Sequence, residues 1–187
     1  NFKKNPFKDF SHYALIPISY YTKISMHKII ISYVQNNKKI FTSKNIKIVK
    51  GKYKSEVINV PKKRVSLNKT DTKRAKIEYK EASKIYNKKS KRLFWKEDFL
   101  NPLKSKITSN FGTKRVYNGK LKSYHSGVDF KAKTGTKILA SNTGIVVISK
   151  NRFYAGNSIV LDHGNGVYSG YYHLSKLGKK LGQLVKK

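Results

Sequence analysis

Between residues 23 and 60 the apolar positions fall into short β-branched runs separated by polar turns. Residues 28–34, Lys-Ile-Ile-Ile-Ser-Tyr-Val, read as a strand. Gln35-Asn36-Asn37-Lys38 reads as a turn, and 39–42 as the return strand. Ile46, Ile48 and Val49 lead into a second turn at Lys50-Gly51-Lys52. A further strand over 53–60 is halted by Pro61. Short strands with regular turns predict a small β-sandwich or meander.

The period then changes. Ala75, Tyr79, Ala82 and Tyr86 recur at helical spacing and predict a helix over about 70–88, capped by Thr70 or Asp71. The stripe is expected to pack against a neighbouring domain. Lys88-Lys89-Ser90-Lys91-Arg92 reads as a basic linker, and Leu93-Phe94-Trp95 as an apolar knot anchoring it. The lead-in, with Asn5-Pro6-Phe7 and Ile16-Pro17-Ile18, reads as irregular.

From Phe99 the pattern is β again. Strands are predicted over 107–111, 137–139, 144–148, 157–162 and 167–172, with an Asn118-Gly119 turn. Asp162-His163-Gly164-Asn165-Gly166 reads as the turn joining the last two strands. No crossover helices are visible, so the sheet is expected to be mainly antiparallel. The fold class is therefore mainly β, a small N-terminal β domain plus one helix followed by an antiparallel sheet domain. The expected division is 1–90, a linker at 91–102, and 103–187.

Composition adds little to the fold but bounds the partners. Among 187 residues, 13 Tyr and 9 Phe help to supply a core, and the absence of Cys excludes disulfides and thiolate metal sites. No apolar run approaches the roughly 20 residues of a membrane span. A formal charge of +33 favours polyanions in general. The lysines are spread along the whole chain, however, so specific nucleic-acid binding is not expected. A basic nucleic-acid-binding module remains the less favoured alternative.

The candidate chemistry lies in Tyr124-His125-Ser126-Gly127-Val128-Asp129-Phe130 and in Tyr171-Tyr172-His173-Leu174-Ser175. His and Asp both ligate zinc, at about 2.0–2.2 Å. In a flat strand, residues four apart stand roughly 13 Å from one another. His125 and Asp129 can therefore share an ion only if the chain bends at Ser126-Gly127. Taken alone, the pair reads as a surface histidine beside an unrelated turn aspartate. His12, His27 and His163 read as structural or surface residues.

The surrounding motifs change that judgement. They are Ile107-Thr108-Ser109-Asn110-Phe111-Gly112 with Arg115, then Gly135-Thr136, and then 140–147. After these come 156–166, Tyr172-His173-Leu174-Ser175 and Gly182-Gln183-Leu184-Val185. In this order and spacing, residues 103–187 resemble the LytM/lysostaphin-like zinc metallopeptidases, the M23 peptidoglycan hydrolases. The likeness is greatest to the Gram-negative DD-endopeptidase/carboxypeptidase branch. The resemblance implies a zinc-dependent peptidase acting on peptidoglycan stem peptides in the periplasm or cell envelope. It implies His125 and Asp129 as zinc ligands and His173 as the catalytic histidine. It places Arg115, with Lys114 beside it, near the substrate cleft.

The family's third ligand is the second His of a His-x-His motif, and this chain has no His-x-His. Catalytic zinc usually has three protein ligands. A fragment truncated at both ends is therefore expected, with no signal segment in view. The alternative is a catalytically inactive M23-like module that binds the wall or activates another hydrolase. Relatives in this branch commonly carry N-terminal domains that can cover the cleft. By that resemblance, 12–66 is expected to be such a module, and deleting 1–90 from a complete enzyme is expected to raise activity.

Overall fold

The computed structural model describes residues 3–4, 12–62, 65–88, 90, 92–119 and 121–187. Asn5-Pro6-Phe7 and the linker residues Lys89 and Lys91 lie outside the described residues, as does the side chain of His12.

The N-terminal strands are β1 (Lys3–Lys4), β2 (His12–Tyr13), β3 (Met26–Gln35), β4 (Lys38–Lys47) and β5 (Ser55–Ile58). One helix follows, α1 (Lys69–Tyr86). The remaining strands are β6 (Ile107–Ser109), β7 (Lys114–Tyr117), β8 (Leu121–Tyr124), β9 (Asp129–Phe130), β10 (Gly144–Arg152), β11 (Gly156–Gly164), β12 (Val167–Leu174) and β13 (Leu184–Val185). Among the described residues the chain is mainly β with one α-helix, as its pattern predicts.

The N-terminal strands do not close into a sandwich or meander. β3 and β4 pair only with each other, across Asn36 and Asn37, which both take positive φ (48° and 56°). A tight two-residue hairpin needs this geometry, and Asn tolerates it. The strand expected over 53–60 is shorter and has another partner. β5 runs parallel to β7, in a three-stranded sheet ordered β5-β7-β8. The other ladders among the described residues are antiparallel.

The main sheet has the order β12-β11-β10-β13. Its second strand, β11, has neighbours on both sides and is buried from Ser158 to Gly164. Val146, Ile159 and Leu161 form the core, with Ala140, Tyr171, Leu174, Leu177 and Val185 packed against them. Residues 137–139, expected to be a strand, are irregular, and Leu139 N–H donates instead to Pro102 O at 3.0 Å.

Helix α1 differs from its predicted form in two respects. Its N-cap is Asn68, whose side chain accepts from Asp71 N–H at 2.7 Å, and not Thr70 or Asp71. Its covered face runs through Ala75, Glu78, Ala82 and Ile85, leaving Tyr79 73% exposed. Glu78 explains the rotation. Its carboxylate accepts from Arg74 Nε at 2.8 Å and Phe153 N–H at 2.9 Å, while Arg152 donates to its backbone carbonyl at 3.0 Å. An acid with these partners is worth burying, so the helix turns its acid inward and a tyrosine outward. The carboxyl sits below the usual carboxylate range: burial opposes this, but the donors from Phe153 and Arg74 outweigh it.

The apolar knot behaves as predicted. Trp95 is buried, edge-on to Tyr13 and tilted against Phe99. Phe94 N–H donates to His163 O at 2.9 Å. Here Gly164 (φ +92°) lies so close to the backbone of Arg92 that a Cβ would collide with it.

Candidate active site

Strands β7 and β8 form a hairpin whose pairing continues past Tyr124. Gly112 N–H donates to His125 O at 2.7 Å, and His125 N–H donates to Thr113 O at 2.9 Å. The backbone of His125 is thus pinned on both sides. The chain then bends at Gly127 before entering β9 at Asp129. This is the bend that the spacing required. It brings His125 Nε2 to 3.1 Å from Asp129 Oδ1.

The hydrogen bonds of His125 define what its ring offers. Nδ1 lies 3.1 Å from Asn110 O and 3.3 Å from Ser109 Oγ. A carbonyl oxygen can only accept, so Nδ1 carries the proton. Nε2 then faces a carboxylate oxygen, an arrangement that either a proton or a metal cation between them satisfies. Two ligand atoms on a tetrahedral zinc stand roughly 3.3–3.5 Å apart. The pair therefore fits two positions of a zinc site, with the Nδ1 contact orienting the ring as such ligands usually require. Among the described residues there is no group of three or more His, Cys, Asp and Glu able to hold a metal.

Arg115 takes a part the sequence did not indicate. It donates through Nη2 to Asp129 Oδ2 at 2.6 Å and to Ser109 Oγ at 3.1 Å, and through Nε to Glu56 Oε1 at 2.7 Å. Ser109 Oγ also donates to Glu56 Oε1 at 3.3 Å. Burial works against the Arg115 charge, but hydrogen bonds to Glu56 and Asp129 prevail and hold the guanidinium above its ordinary value. Register explains the assembly: Glu56 is the partner of Arg115 across β5 and β7, and Ser109 is the partner of Asp129 across β6 and β9. Lys114, the other candidate for the cleft, is the register partner of Ser55 and Tyr124.

His173 lies on β12. Ser158 alone opposes Tyr172 and His173 there, a β-bulge, and His173 takes φ +56°. Its N–H donates to Ala155 O at 2.8 Å, and its exposed ring stands over Gly156. Its side chain makes no hydrogen bond or ion pair with His125 or Asp129. Bulges and left-handed non-glycine residues concentrate at functional positions.

His163 is not in a turn. It is the penultimate residue of β11, because the turn is confined to Asn165 and Gly166, both at positive φ. Its ring is fully buried, with Nδ1 2.7 Å from Thr143 O and Nε2 2.7 Å from Ser169 Oγ. Both nitrogens are engaged, which matches the structural reading.

Of the residues around His125 and Asp129, sequence reasoning missed the roles of Ser109, Asn110 and Glu56. Ser109 and Asn110 stand inside a motif that the sequence displays. Glu56 carries no local signal, since only the parallel pairing of β5 places it there.

Described, then, is a β scaffold with a histidine–carboxylate pair at a glycine bend. Residues 123–187 match the family described as Peptidase family M23, so the C-terminal part of the chain is M23-like. Over 83 residues, 44% of this chain, it is 42% identical to the peptidoglycan DD-endopeptidase ShyA of Vibrio cholerae, matching 19% of that protein. Over 60 residues, 32% of this chain, it is 33% identical to the DD-carboxypeptidase/endopeptidase Mpg of Neisseria meningitidis, matching 14% of that protein. The chain thus spans about a fifth or less of the length of these curated relatives. A solved structure assigned to peptidase M23 from Pseudomonas aeruginosa superposes with a TM-score of 0.66 at 24% identity, covering 92% of this chain and 61% of the other. That likeness is one of fold.

Proposed function

We propose that this chain serves a zinc-dependent peptidoglycan hydrolase that cleaves peptide cross-links in the cell envelope. The observation that carries this reading is the 3.1 Å approach of His125 Nε2 to Asp129 Oδ1, with Nδ1 committed to Asn110. The likeness to peptidoglycan DD-endopeptidases supports peptidoglycan as the substrate class, with its stem peptides as the part cleaved in this reading. Stem carboxylates also suit a chain with a formal charge of +33.

In this reading His125 and Asp129 hold the metal, and Arg115 holds Asp129. A bound zinc supplies Lewis acidity and a water activated for attack on an amide. His173 receives or returns a proton at its ring, or donates a hydrogen bond to the developing oxyanion. Its exposed position on a bulged strand leaves the ring free for substrate. Residues 1–90 remain the non-catalytic part, 91–102 the linker and 103–187 the peptidase part, although β5 crosses that division. Among the described residues no helix is long and apolar enough to cross a membrane.

A second reading is favoured by the two-donor set: an M23-like module that binds the wall without cutting it. Zinc stoichiometry of the whole chain, beside Asp129→Asn, together with release of stem peptides from purified peptidoglycan, separates the two. Weak zinc binding by this two-donor chain, lost in D129N, is the expected result, with peptide release lost in D129N wherever a third ligand completes the site. Wall binding with neither zinc nor release would establish the second reading.

A further inference from the structure

We propose that Glu56, on a strand of the N-terminal half, is a positioning residue for the candidate metal pair, acting through Arg115. The inference rests on the reading of His125 and Asp129 as metal ligands. It goes beyond that reading by assigning a part of the site to the segment expected to be non-catalytic.

The argument begins with the two oxygens of Asp129. Oδ1 faces His125 Nε2, and Oδ2 is taken by Arg115 Nη2 at 2.6 Å. A carboxylate free to rotate presents either oxygen. One clamped at Oδ2 by a charged donor presents only Oδ1, already facing the histidine. Arg115 thus sets the direction of the ligand and neutralises charge on the oxygen that the metal does not use. Outer partners of this kind commonly govern metal affinity.

Arg115 has to be held in turn. A long side chain loses rotamer freedom when it is fixed, and one contact is a poor restraint. Glu56 supplies the second contact, Oε1 to Arg115 Nε at 2.7 Å, from the adjacent parallel strand. Ser109 closes the ring: its hydroxyl lies within 3.3 Å of Glu56 Oε1 and of His125 Nδ1, and 3.1 Å from Arg115 Nη2. The Arg115 side chain is 17% exposed, while Glu56 and Asp129 are 34% and 46% exposed, so the guanidinium is shielded and its partners remain partly screened by solvent. Both ligands are therefore tied, through Arg115 or Ser109, to one carboxylate outside the peptidase part.

The N-terminal half surrounds the same place with aromatic groups. Tyr20 stacks on Tyr124 at 4.1 Å, directly before His125, and Tyr53 meets Phe111 edge-on at 6.4 Å. The ring of Tyr53 fills the space where a Cβ on Gly112 would stand. These contacts hold β5 against β7 and give the Glu56 tether a fixed base.

The test uses the full chain and zinc itself. Affinity is measured by competition with a chromophoric chelator for wild type, Glu56→Gln, Arg115→Ala and the double variant. Glu→Gln preserves shape and the backbone pairing of β5, and circular dichroism with urea unfolding checks the fold. E56Q is expected to weaken zinc binding about 10–100-fold while the unfolding midpoint stays near that of wild type. In the R115A background it is expected to have no further effect, since its influence passes through Arg115. Equal affinity in wild type and E56Q would overturn the proposal. So would an E56Q effect that persists at full size in R115A. If wild type binds no zinc, its two donors do not hold the metal unaided, and the tether is decided by the Arg115 Nε–H signal in NMR. Protection in wild type that is lost in E56Q upholds the tether; absence of protection in both refutes it.

Discussion

His163 and Ser169 join β11 to β12 through a 2.7 Å contact between Nε2 and the hydroxyl oxygen, with the imidazole wholly out of solvent. On the other side Nδ1 meets the carbonyl of Thr143 at 2.7 Å. A carbonyl only accepts, so Nδ1 donates to Thr143, and Nε2 shares a hydrogen bond with the Ser169 hydroxyl. Phe99 stands edge-on to the ring at 5.0 Å.

Burial pushes the His163 pKa below its ordinary value, although the Thr143 carbonyl and Asp162 pull the other way. The unfolded chain takes up this proton near pH ~6.5, whereas the folded chain resists it to lower pH. In that interval the unfolded state binds more protons, so stability is full above ~6.5 and falls as the pH drops toward the folded pKa. Urea midpoints at several pH values between neutral and mildly acidic are expected to decline in wild type, and to decline less steeply in His163→Gln. Parallel slopes would show that His163 is not the group responsible.

His173 carries backbone strain that its side chain does not need. A non-glycine residue in the left-handed region costs about 1 kcal/mol or somewhat more. His173→Gly is therefore expected to unfold at higher urea than His173→Ala, by about 1 kcal/mol. Under the proposed function, both variants keep zinc and lose peptide release. If H173A is the more stable, the bulge is not strained there. Loss of zinc in both would make His173 a ligand instead of a proton carrier.

The rotated face of α1 makes a paired prediction. Glu78→Gln weakens a charged acceptor that holds Phe153 N–H and Arg74, and is expected to cost about 1.5–3 kcal/mol. Tyr79→Ala removes a larger side chain from solvent and is expected to fall within about 0.5 kcal/mol of wild type. Chemical denaturation of both variants checks the contrast. The reverse order would restore the stripe of Ala75, Tyr79, Ala82 and Tyr86 expected from spacing alone.

Much of the architecture is legible in short stretches of chain because it depends on local chemistry. Contiguous runs of β-branched Ile and Val mark β3 and β10. Asn36-Asn37 and Asn165-Gly166 turn the chain because these residues tolerate positive φ. Gly127 permits the bend between His125 and Asp129 that their four-residue spacing demands if they are to share an ion. The order of motifs over 103–187 was likewise enough to suggest the M23 resemblance.

Other features depend on which distant segments meet, and no local pattern encodes that. The sequence of β5 resembles any short edge strand, yet its parallel alignment with β7 sets Glu56 beside Arg115. Arg115 looks like a free cation suited to substrate until Asp129 and Glu56 are seen to occupy it. The helix face shifted by one residue because Arg74, Arg152 and Phe153 N–H were waiting for an acid. His163 moved from turn to core because β11 is covered by strands on both sides. Sequence by itself determined most of the elements and permitted the bend, since propensity acts over a few residues, while the pairing of His125 with Asp129 came from the resemblance of the surrounding motifs. Tertiary structure alone decided which charges neutralise one another, because strand register between remote segments sets those distances.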